Sequence, residues 1–229
     1  DGSVVYQSER HHRYRAALDA LKQQNLIYPC YCSRKSVQEN GFAGIDGVIY
    51  HGHCRFRQPE NTADKQPSYR IKVNNQAIVF EDKIFGLQQQ NLAQQIGGFV
   101  LLRADGGWAY QLAVVVDDFH QGVTHIVRGA DLLISTPRQI YISGCLKYPT
   151  PQYAHLPLLT NRLGQKWSKQ TLAPPLNLSR KEYLLKQVLM YLNLPQPIPD
   201  ENCNALLQWA ISHWEIQKVP QQSIVCADE

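Results

Sequence analysis

The spacing of apolar positions predicts helices at both ends of the chain. Residues 7–24 form an amphipathic pattern with helical period, whose apolar members are Tyr14, Ala17, Leu18 and Leu21. Residues 180–191 and 202–214 are also expected to be helical, with the prolines of 195–199 as a stiff linker between them. Further upstream, Ser33 is expected to cap a short helix that ends near residue 39.

The middle of the chain alternates between strand and helix patterns. Residues 69–73 and 77–80 predict two strands joined as a hairpin, whereas the apolar run 112–116 fits a buried strand or a buried helix equally well. A strand at 124–127, a helix starting at Thr136-Pro137 and an apolar segment at 154–159 follow in order. This strand–helix–strand order predicts a crossover connection, a parallel sheet and an α/β fold.

Composition narrows the class of protein only moderately. With 44% hydrophobic and 18% charged residues, the chain of 229 residues is globular, and it has no apolar stretch long enough to span a bilayer, so no membrane partner is expected. A net charge of +4 permits a nucleic-acid partner without requiring one. Six cysteines in a chain of this length are too sparse for a secreted disulfide scaffold, which favours a reducing cytoplasm.

Three cysteines are candidates for a metal site. Cys30, Cys32 and Cys54 flank a turn-rich stretch, and Tyr50, His51 or His53 is available as a fourth ligand. Zinc prefers four such ligands in a tetrahedron, and a site closed by four protein ligands is structural. The alternative is three ordinary buried or free thiols.

Two further segments carry charged groups suited to substrate binding. Lys166-Trp167-Ser168-Lys169 follows Gly164 and suits a mobile phosphate clamp, although a solvated loop fits the same residues. Arg128 stands at the end of a predicted strand, where it suits a carboxylate or a phosphate, or else an ion pair with an acidic neighbour. Tyr110 either faces the same crevice or belongs to the core or its rim.

These segments, in this order, resemble the catalytic core of the class I glutamyl-tRNA synthetase family. The matching stretches are residues 110–118, 122–131, 136–139, 155–158 and 166–169. Within that superfamily, the cysteine knuckle with Tyr50 and the short chain that follows Gln170 are similar to the glutamyl-queuosine tRNA(Asp) synthetase family. Residues 1–160 would then be a partial catalytic nucleotide-binding domain containing a zinc knuckle at 28–57. Residues 161–229 would hold the lysine-motif loop and a helical region.

The resemblance implies a Rossmann-like core and a specific activity. Glutamate and ATP, with Mg²⁺, would form glutamyl-adenylate, and the glutamyl group would pass to queuosine in tRNA(Asp), carried out by a cytoplasmic monomer. By matching positions, the resemblance implies that Tyr110 and Arg128 bind glutamate. It also implies that Lys166, Ser168 and Lys169 bind ATP, and that Lys169 is the catalytic residue that stabilises departing pyrophosphate. The same matching gives structural Zn²⁺ four ligands, namely Cys30, Cys32, Tyr50 and Cys54.

Some features depart from the family pattern or leave other functions open. The family's amino-terminal half, with its His-x-Gly-His-like phosphate motif, has no match here, so we expect the 229-residue chain alone to be inactive in glutamate activation. The long stretch between Cys32 and Tyr50 keeps His51 and His53 as rival ligands. A catalytic fragment of a conventional glutamyl-tRNA synthetase is one alternative. A non-catalytic, zinc-stabilised RNA-binding module is another, favoured by basic residues near the knuckle: Arg55, Arg57, Lys65, Arg70 and Lys72.

Overall fold

The computed structural model describes residues 2–50, 52–56 and 65–225, which divide into two units. The first unit takes in the chain up to Phe80, Leu87–His125 and Ile134–Pro151, and the second takes in Glu81–Gly86, Ile126–Leu133 and the chain from Gln152. The division at residue 160 concerns domains along the sequence and stays a prediction.

The first unit contains all but the last two α-helices of the described residues. Its helices are α1 (His11–Gln23), α2 (Arg34–Asn40), α3 (His53–Phe56), α4 (Leu92–Gln95), α5 (Tyr110–His120) and α6 (Thr136–Leu146). Its strands are β1 (Ile27–Cys30), β2 (Phe42–Gly44), β3 (Gly47–Ile49), β4 (Ser68–Ile71) and β7 (Val100–Leu102), together with most of the neighbouring strands β5 (Ala77–Asp82) and β6 (Gly86–Asn91). Helix α1 contacts both α5 and α6 over a continuous apolar core.

The sheet of the first unit corrects one prediction. Strand β4 pairs antiparallel with β1, with Ile27 opposite Ile71, and also with β7. It therefore forms no hairpin with β5, which belongs to a different sheet, and the predicted 69–73/77–80 hairpin is wrong. The pairing that replaces it joins segments far apart in sequence, which local alternation cannot reveal.

The ambiguous apolar run 112–116 is part of helix α5. Four of its five residues are buried, so the helix shows little of the polar face that would have identified it from the sequence. The short helix α2 is capped as expected, because the Ser33 side chain accepts a hydrogen bond from the Ser36 amide. The expected first helix is split into a 3₁₀ turn at Gln7–Glu9 and α1, and Arg10 stands between them.

The second unit combines parallel strand pairs with two helices. Its strands are β8 (His125–Gly129, whose first residue belongs to the first unit), β9 (Gln152–Leu156), β10 (Leu159–Thr160) and β11 (Ile224–Val225). The end of β5 pairs parallel with β9, which lies beside β8, so the expected parallel sheet is confirmed. Helices α7 (Lys181–Tyr191) and α8 (Cys203–Ser212) pack together through leucines. No helix in the described ranges is long and apolar enough to cross a membrane.

Candidate functional site

Arg128 lies near the end of β8 with its guanidinium half-buried. Its Nε donates to His155 Nε2 at 3.1 Å, and its Nη2 donates to the Leu132 carbonyl at 3.4 Å. The guanidinium carbon also lies 5.5 Å from the centre of the Tyr153 ring. These contacts hold the planar group in one orientation, which suits two-point recognition of a carboxylate.

The histidine that contacts Arg128 is itself held by a carboxylate. His155 and Asp82 are both fully buried on neighbouring strands, and His155 Nδ1 lies 2.6 Å from Asp82 Oδ2. The other oxygen, Oδ1, accepts from the amides of Ile84 at 3.0 Å, Phe85 at 2.9 Å and His155 at 3.2 Å. Sequence reasoning missed Asp82, and it noted His155 only as part of a matching stretch. A histidine inside an apolar strand was the available signal, because a buried ring needs polar partners.

The electrostatics of this pair favour one protonation pattern. Burial lowers the pKa of His155, outweighing the opposing effect of Asp82. Burial acts to raise the pKa of Asp82, but its hydrogen bonds from His155 and the three amides hold that pKa below its usual value. A neutral His155 that donates from Nδ1 to the carboxylate presents a lone pair at Nε2, which matches the observed donation from Arg128.

The lysine-motif loop belongs to the same unit and is tied to the segment that follows β8. Lys166 Nζ lies 2.5 Å from Asp131 Oδ2, and Asp131 comes shortly after Arg128 in the chain. Thr171 accepts from the Ser168 amide at 2.9 Å in a reciprocal cap that starts the 3₁₀ turn Lys169–Thr171. One surface depression is lined by the loop and by the aspartate, with Lys166, Ser168, Lys169, Gln170, Thr171 and Asp131 around it.

Tyr110, the other predicted glutamate contact, is the first residue of α5 and belongs to the first unit. It is 49% exposed, so its phenol is accessible, unlike the buried residues that follow it. Its helix is anchored further along by Asp117, which accepts hydrogen bonds from Arg10 at 2.5 Å and Tyr14 at 2.8 Å. The geometry of Tyr110 therefore fits a rim position rather than the core.

The three predicted cysteine ligands converge on one point. Cys30 ends β1, Cys54 lies in α3, and the sulfur atoms of Cys30, Cys32 and Cys54 all lie within 4.8 Å of one another. The Tyr50 hydroxyl lies 3.3 Å from Cys30 Sγ and 3.4 Å from Cys32 Sγ, and it accepts from the Cys54 amide at 3.0 Å. Three sulfurs and one phenolic oxygen thus surround one position.

The surroundings of the cysteine cluster fix Tyr50 in place. The Arg70 guanidinium carbon lies 4.2 Å from the centre of the Tyr50 ring. The Tyr50 backbone approaches Gly97, where an added Cβ would lie 2.5 Å from the Tyr50 carbonyl oxygen, so only glycine fits there. Of the rival ligands, His51 lies outside the described residues. His53 is not among the described histidine, cysteine and acidic side chains whose donor atoms cluster at this point.

The donor set at this cluster fits a zinc ion. Burial acts to raise the pKa of Cys30, but hydrogen bonds from Tyr50 and the Cys32 amide, together with nearby Arg70, hold it below its usual value. Burial raises the pKa of Cys32 to about 11 and raises that of Tyr50 as well. Soft thiolates with one harder ligand in a closed set of four match the structural zinc preference, because such a set leaves no open position for water.

Comparisons with known proteins agree with this fold and identify the family. The family described as class I tRNA synthetases (E and Q), catalytic domain, matches residues 1–194. A glutamyl-Q tRNA(Asp) synthetase of Neisseria meningitidis serogroup C is 58% identical over 225 residues, covering 98% of this chain and 76% of the relative. The protein of the same name from Thiobacillus denitrificans is 48% identical, covering 98% of this chain and 75% of the relative.

Solved structures support the fold alone. A glutamate-tRNA synthetase from Elizabethkingia anophelis superposes with a TM-score of 0.72 at 20% identity, over 96% of this chain and 52% of that structure. A glutamate tRNA ligase from Elizabethkingia meningosepticum gives a TM-score of 0.71, also at 20% identity, over 96% of this chain and 51% of that structure. The chain thus corresponds to about half of each of these enzymes.

Proposed function

The chain belongs to the class I tRNA synthetases, in the family of the glutamyl-Q tRNA(Asp) synthetases, and from this premise we propose that it glutamylates queuosine in tRNA(Asp). In the first step, the glutamate carboxylate attacks the α-phosphorus of ATP, which forms glutamyl-adenylate and releases pyrophosphate. In the second, a nucleophile of the queuosine base attacks the activated carbonyl and AMP leaves. Both steps need positioning and charge stabilisation, not a covalent enzyme intermediate.

The main structural support for this proposal is one ion pair in the candidate site. The ion pair between Lys166 and Asp131 ties the lysine-motif loop to the segment that follows Arg128, within one unit. A cationic loop for phosphates and a guanidinium for a carboxylate are thereby joined through a short stretch of chain. Glutamate activation requires this combination, because the enzyme must hold an acidic amino acid beside a polyphosphate.

The residues take separate roles in the proposal. Arg128 and Tyr110 bind glutamate, with Arg128 facing a carboxylate. Lys166 and Ser168 bind ATP phosphates. Lys169 is the catalytic residue, because its ammonium stabilises the charge that develops as pyrophosphate leaves, and Mg²⁺ accompanies ATP as a substrate complex.

The cysteine cluster has a structural role in the proposal. Zn²⁺ would be held by Cys30, Cys32, Cys54 and the Tyr50 oxygen, and when bound it would crosslink β1 to the segment around α3. The enzyme would act as a monomer in the cytoplasm, and light scattering during gel filtration checks the oligomeric state.

The decisive experiment separates the proposed substrate from the conventional one. Full-length protein is incubated with labelled glutamate, ATP and tRNA(Asp) that either carries or lacks queuosine. We expect label only on the modified tRNA, and we expect it to survive periodate oxidation of the terminal ribose before the reaction. Label on the 3′ ribose of unmodified tRNA would instead identify a conventional glutamyl-tRNA synthetase.

One variant tests the role assigned to Arg128 in the same assay, beside a control. Arg128→Lys keeps the charge but loses the planar fork, so the KM for glutamate should rise while the KM for ATP is retained. Lys181→Met is the matched control, because Lys181 is an exposed lysine in the same unit at the start of α7. Binding of tRNA that needs neither ATP nor glutamate, without any transfer, would favour the RNA-binding module.

A further inference from the structure

We propose that Asp82 and His155 form a positioning pair that sets the orientation of the Arg128 guanidinium for glutamate. The inference rests on the proposed function and extends it to two residues that do not touch the substrate in that proposal. Its basis is a continuous chain of hydrogen bonds across β8, β9 and β5, in which Arg128 Nε donates to His155 Nε2 at 3.1 Å and His155 Nδ1 lies 2.6 Å from Asp82 Oδ2.

The direction of this chain is fixed at its far end. Asp82 Oδ1 accepts three backbone amide hydrogen bonds, from Ile84, Phe85 and His155. Oδ2 is therefore the oxygen that faces the imidazole, and as a carboxylate oxygen it can only accept. His155 must then carry its proton on Nδ1, which leaves Nε2 as an acceptor for the guanidinium.

Because both side chains are buried, only this arrangement of donors and acceptors is stable. Asp82 and His155 side chains have no exposed surface, so water cannot substitute for a mismatched donor or acceptor. If the proton moved to Nε2, two N–H groups would face each other at His155 and Arg128. The guanidinium would then leave its present position, because a buried donor without an acceptor is costly.

Asp82→Asn replaces the acceptor that faces His155 with a donor, with little change in side-chain shape. The three amides keep the Asn oxygen at the Oδ1 position, so the new NH₂ group faces His155 Nδ1 and the imidazole proton must move to Nε2. In ATP–pyrophosphate exchange with full-length protein, we expect the KM for glutamate to rise roughly tenfold to a hundredfold. The KM for ATP should stay within about twofold, because ATP contacts other residues in the proposal.

A second pair of variants tests positioning against simple loss of packing. In His155→Gln the side-chain carbonyl can reach the place of Nε2 and accept from Arg128, whereas the shorter His155→Asn cannot. We expect His155→Gln to keep the KM for glutamate within roughly tenfold of the original, and His155→Asn to raise it as Asp82→Asn does. The double variant Asp82→Asn/His155→Gln should raise the KM again, because the new NH₂ group at position 82 draws the Gln carbonyl oxygen towards itself and away from Arg128.

The tautomer itself can be observed without any activity. Long-range ¹H–¹⁵N spectra of the eight histidines, with His155 assigned by its absence in His155→Gln, should show a neutral Nδ1–H ring, and an Nε2–H ring in Asp82→Asn. Asp200→Asn is the matched control, since Asp200 is an exposed aspartate of the same unit that pairs with Lys186. It should change neither the KM nor the spectrum.

The outcomes separate this inference from the proposed function. If Arg128→Lys leaves the KM for glutamate unchanged, the role of Arg128 in the proposed function fails. If Arg128→Lys raises that KM but Asp82→Asn and His155→Asn do not, the positioning pair alone is refuted. Equal increases in the KM for glutamate and ATP, or a double variant that keeps the KM of His155→Gln alone, also refute it. Should Asp82→Asn fail to fold, the His155→Gln and His155→Asn pair decides the question.

Discussion

Asp117 offers a strong test of how the first unit positions helix α5. Its carboxylate accepts from Gln7 Nε2 at 2.9 Å, Arg10 Nε at 2.5 Å and Tyr14 Oη at 2.8 Å. The side chains of Arg10 and Asp117 are only 12% and 8% exposed, so this is a buried ion pair. It joins the start of α1 to α5, the helix that presents Tyr110.

The expected loss in the free energy of unfolding depends on which buried groups each substitution leaves without a partner. Asp117→Ala leaves a buried guanidinium without its counter-ion, for which we expect a loss of about 3–5 kcal/mol in the free energy of unfolding. Tyr14→Phe removes one hydrogen bond and should cost about 1 kcal/mol. In the double variant Arg10→Leu/Asp117→Leu, apolar groups replace both charges, so it should recover most of the loss seen in Asp117→Ala.

The assay is urea unfolding followed by Trp108 fluorescence, because Trp108 packs 5.7 Å from the Tyr14 ring and is the only tryptophan in the first unit. Asp105→Asn is the control, since its pair with Arg103 lies on the surface and should have no measurable effect. If Asp117→Ala is no more destabilising than that control, or if the double variant is worse than Asp117→Ala, the view of Asp117 as a buried hub is refuted.

Three further predictions concern the zinc site, pH and catalysis. Purified protein should release one equivalent of zinc to a chromogenic chelator, and Tyr50→Phe should weaken zinc binding roughly tenfold or more while His53→Ala does not; equal effects would reject Tyr50 as the ligand. Burial and Asp117 raise the pKa of Tyr14 to about 12 from an ordinary 10.0, so its stabilising effect is complete below pH 10 and is lost as the pH rises through 12. Difference absorbance at 295 nm between wild type and Tyr14→Phe checks this, and ionisation near pH 10 contradicts it. Lys169→Met should lower kcat for glutamate-dependent ATP–pyrophosphate exchange by about a hundredfold without changing the melting temperature, because Lys169 is exposed; an unchanged kcat rejects its catalytic role.

The parts of the fold that the sequence predicted are those set by local chemistry. The Ser33 cap of α2 depends on a hydroxyl and an amide three residues away, and the start of α6 at Thr136-Pro137 depends on the fixed φ of proline. The predicted hairpin at β4 was wrong because the pairing partner of a strand depends on packing throughout the core, which local sequence does not reveal. Helix α5 was ambiguous because it is buried on most sides, so its periodicity carried little information.

In the candidate site, too, residues with a local sequence signal were predicted, and residues that depend on distant partners were not. The cysteines were found because metal sites commonly use closely spaced cysteines, and the structure brings Cys30, Cys32 and Cys54 together. Arg128 and the lysine loop were found by motif, although local sequence fitted a solvated loop as well. Asp82 was missed because its partner His155 is 73 residues away and neither residue belongs to a recognisable spacing.

In the proposed pair, the group that supports Arg128 from position 155 is a neutral imidazole. A carboxylate in the place of His155 would hold the guanidinium equally well but would compete with a substrate carboxylate for the same charge. Placing a neutral imidazole between Asp82 and Arg128 transmits orientation through hydrogen bonds while keeping the negative charge one ring further away. At position 155, orientation is therefore supplied without a second negative charge beside the guanidinium. A carboxylate substituted directly at position 155, as in His155→Asp or His155→Glu, should weaken glutamate binding more than the neutral His155→Asn.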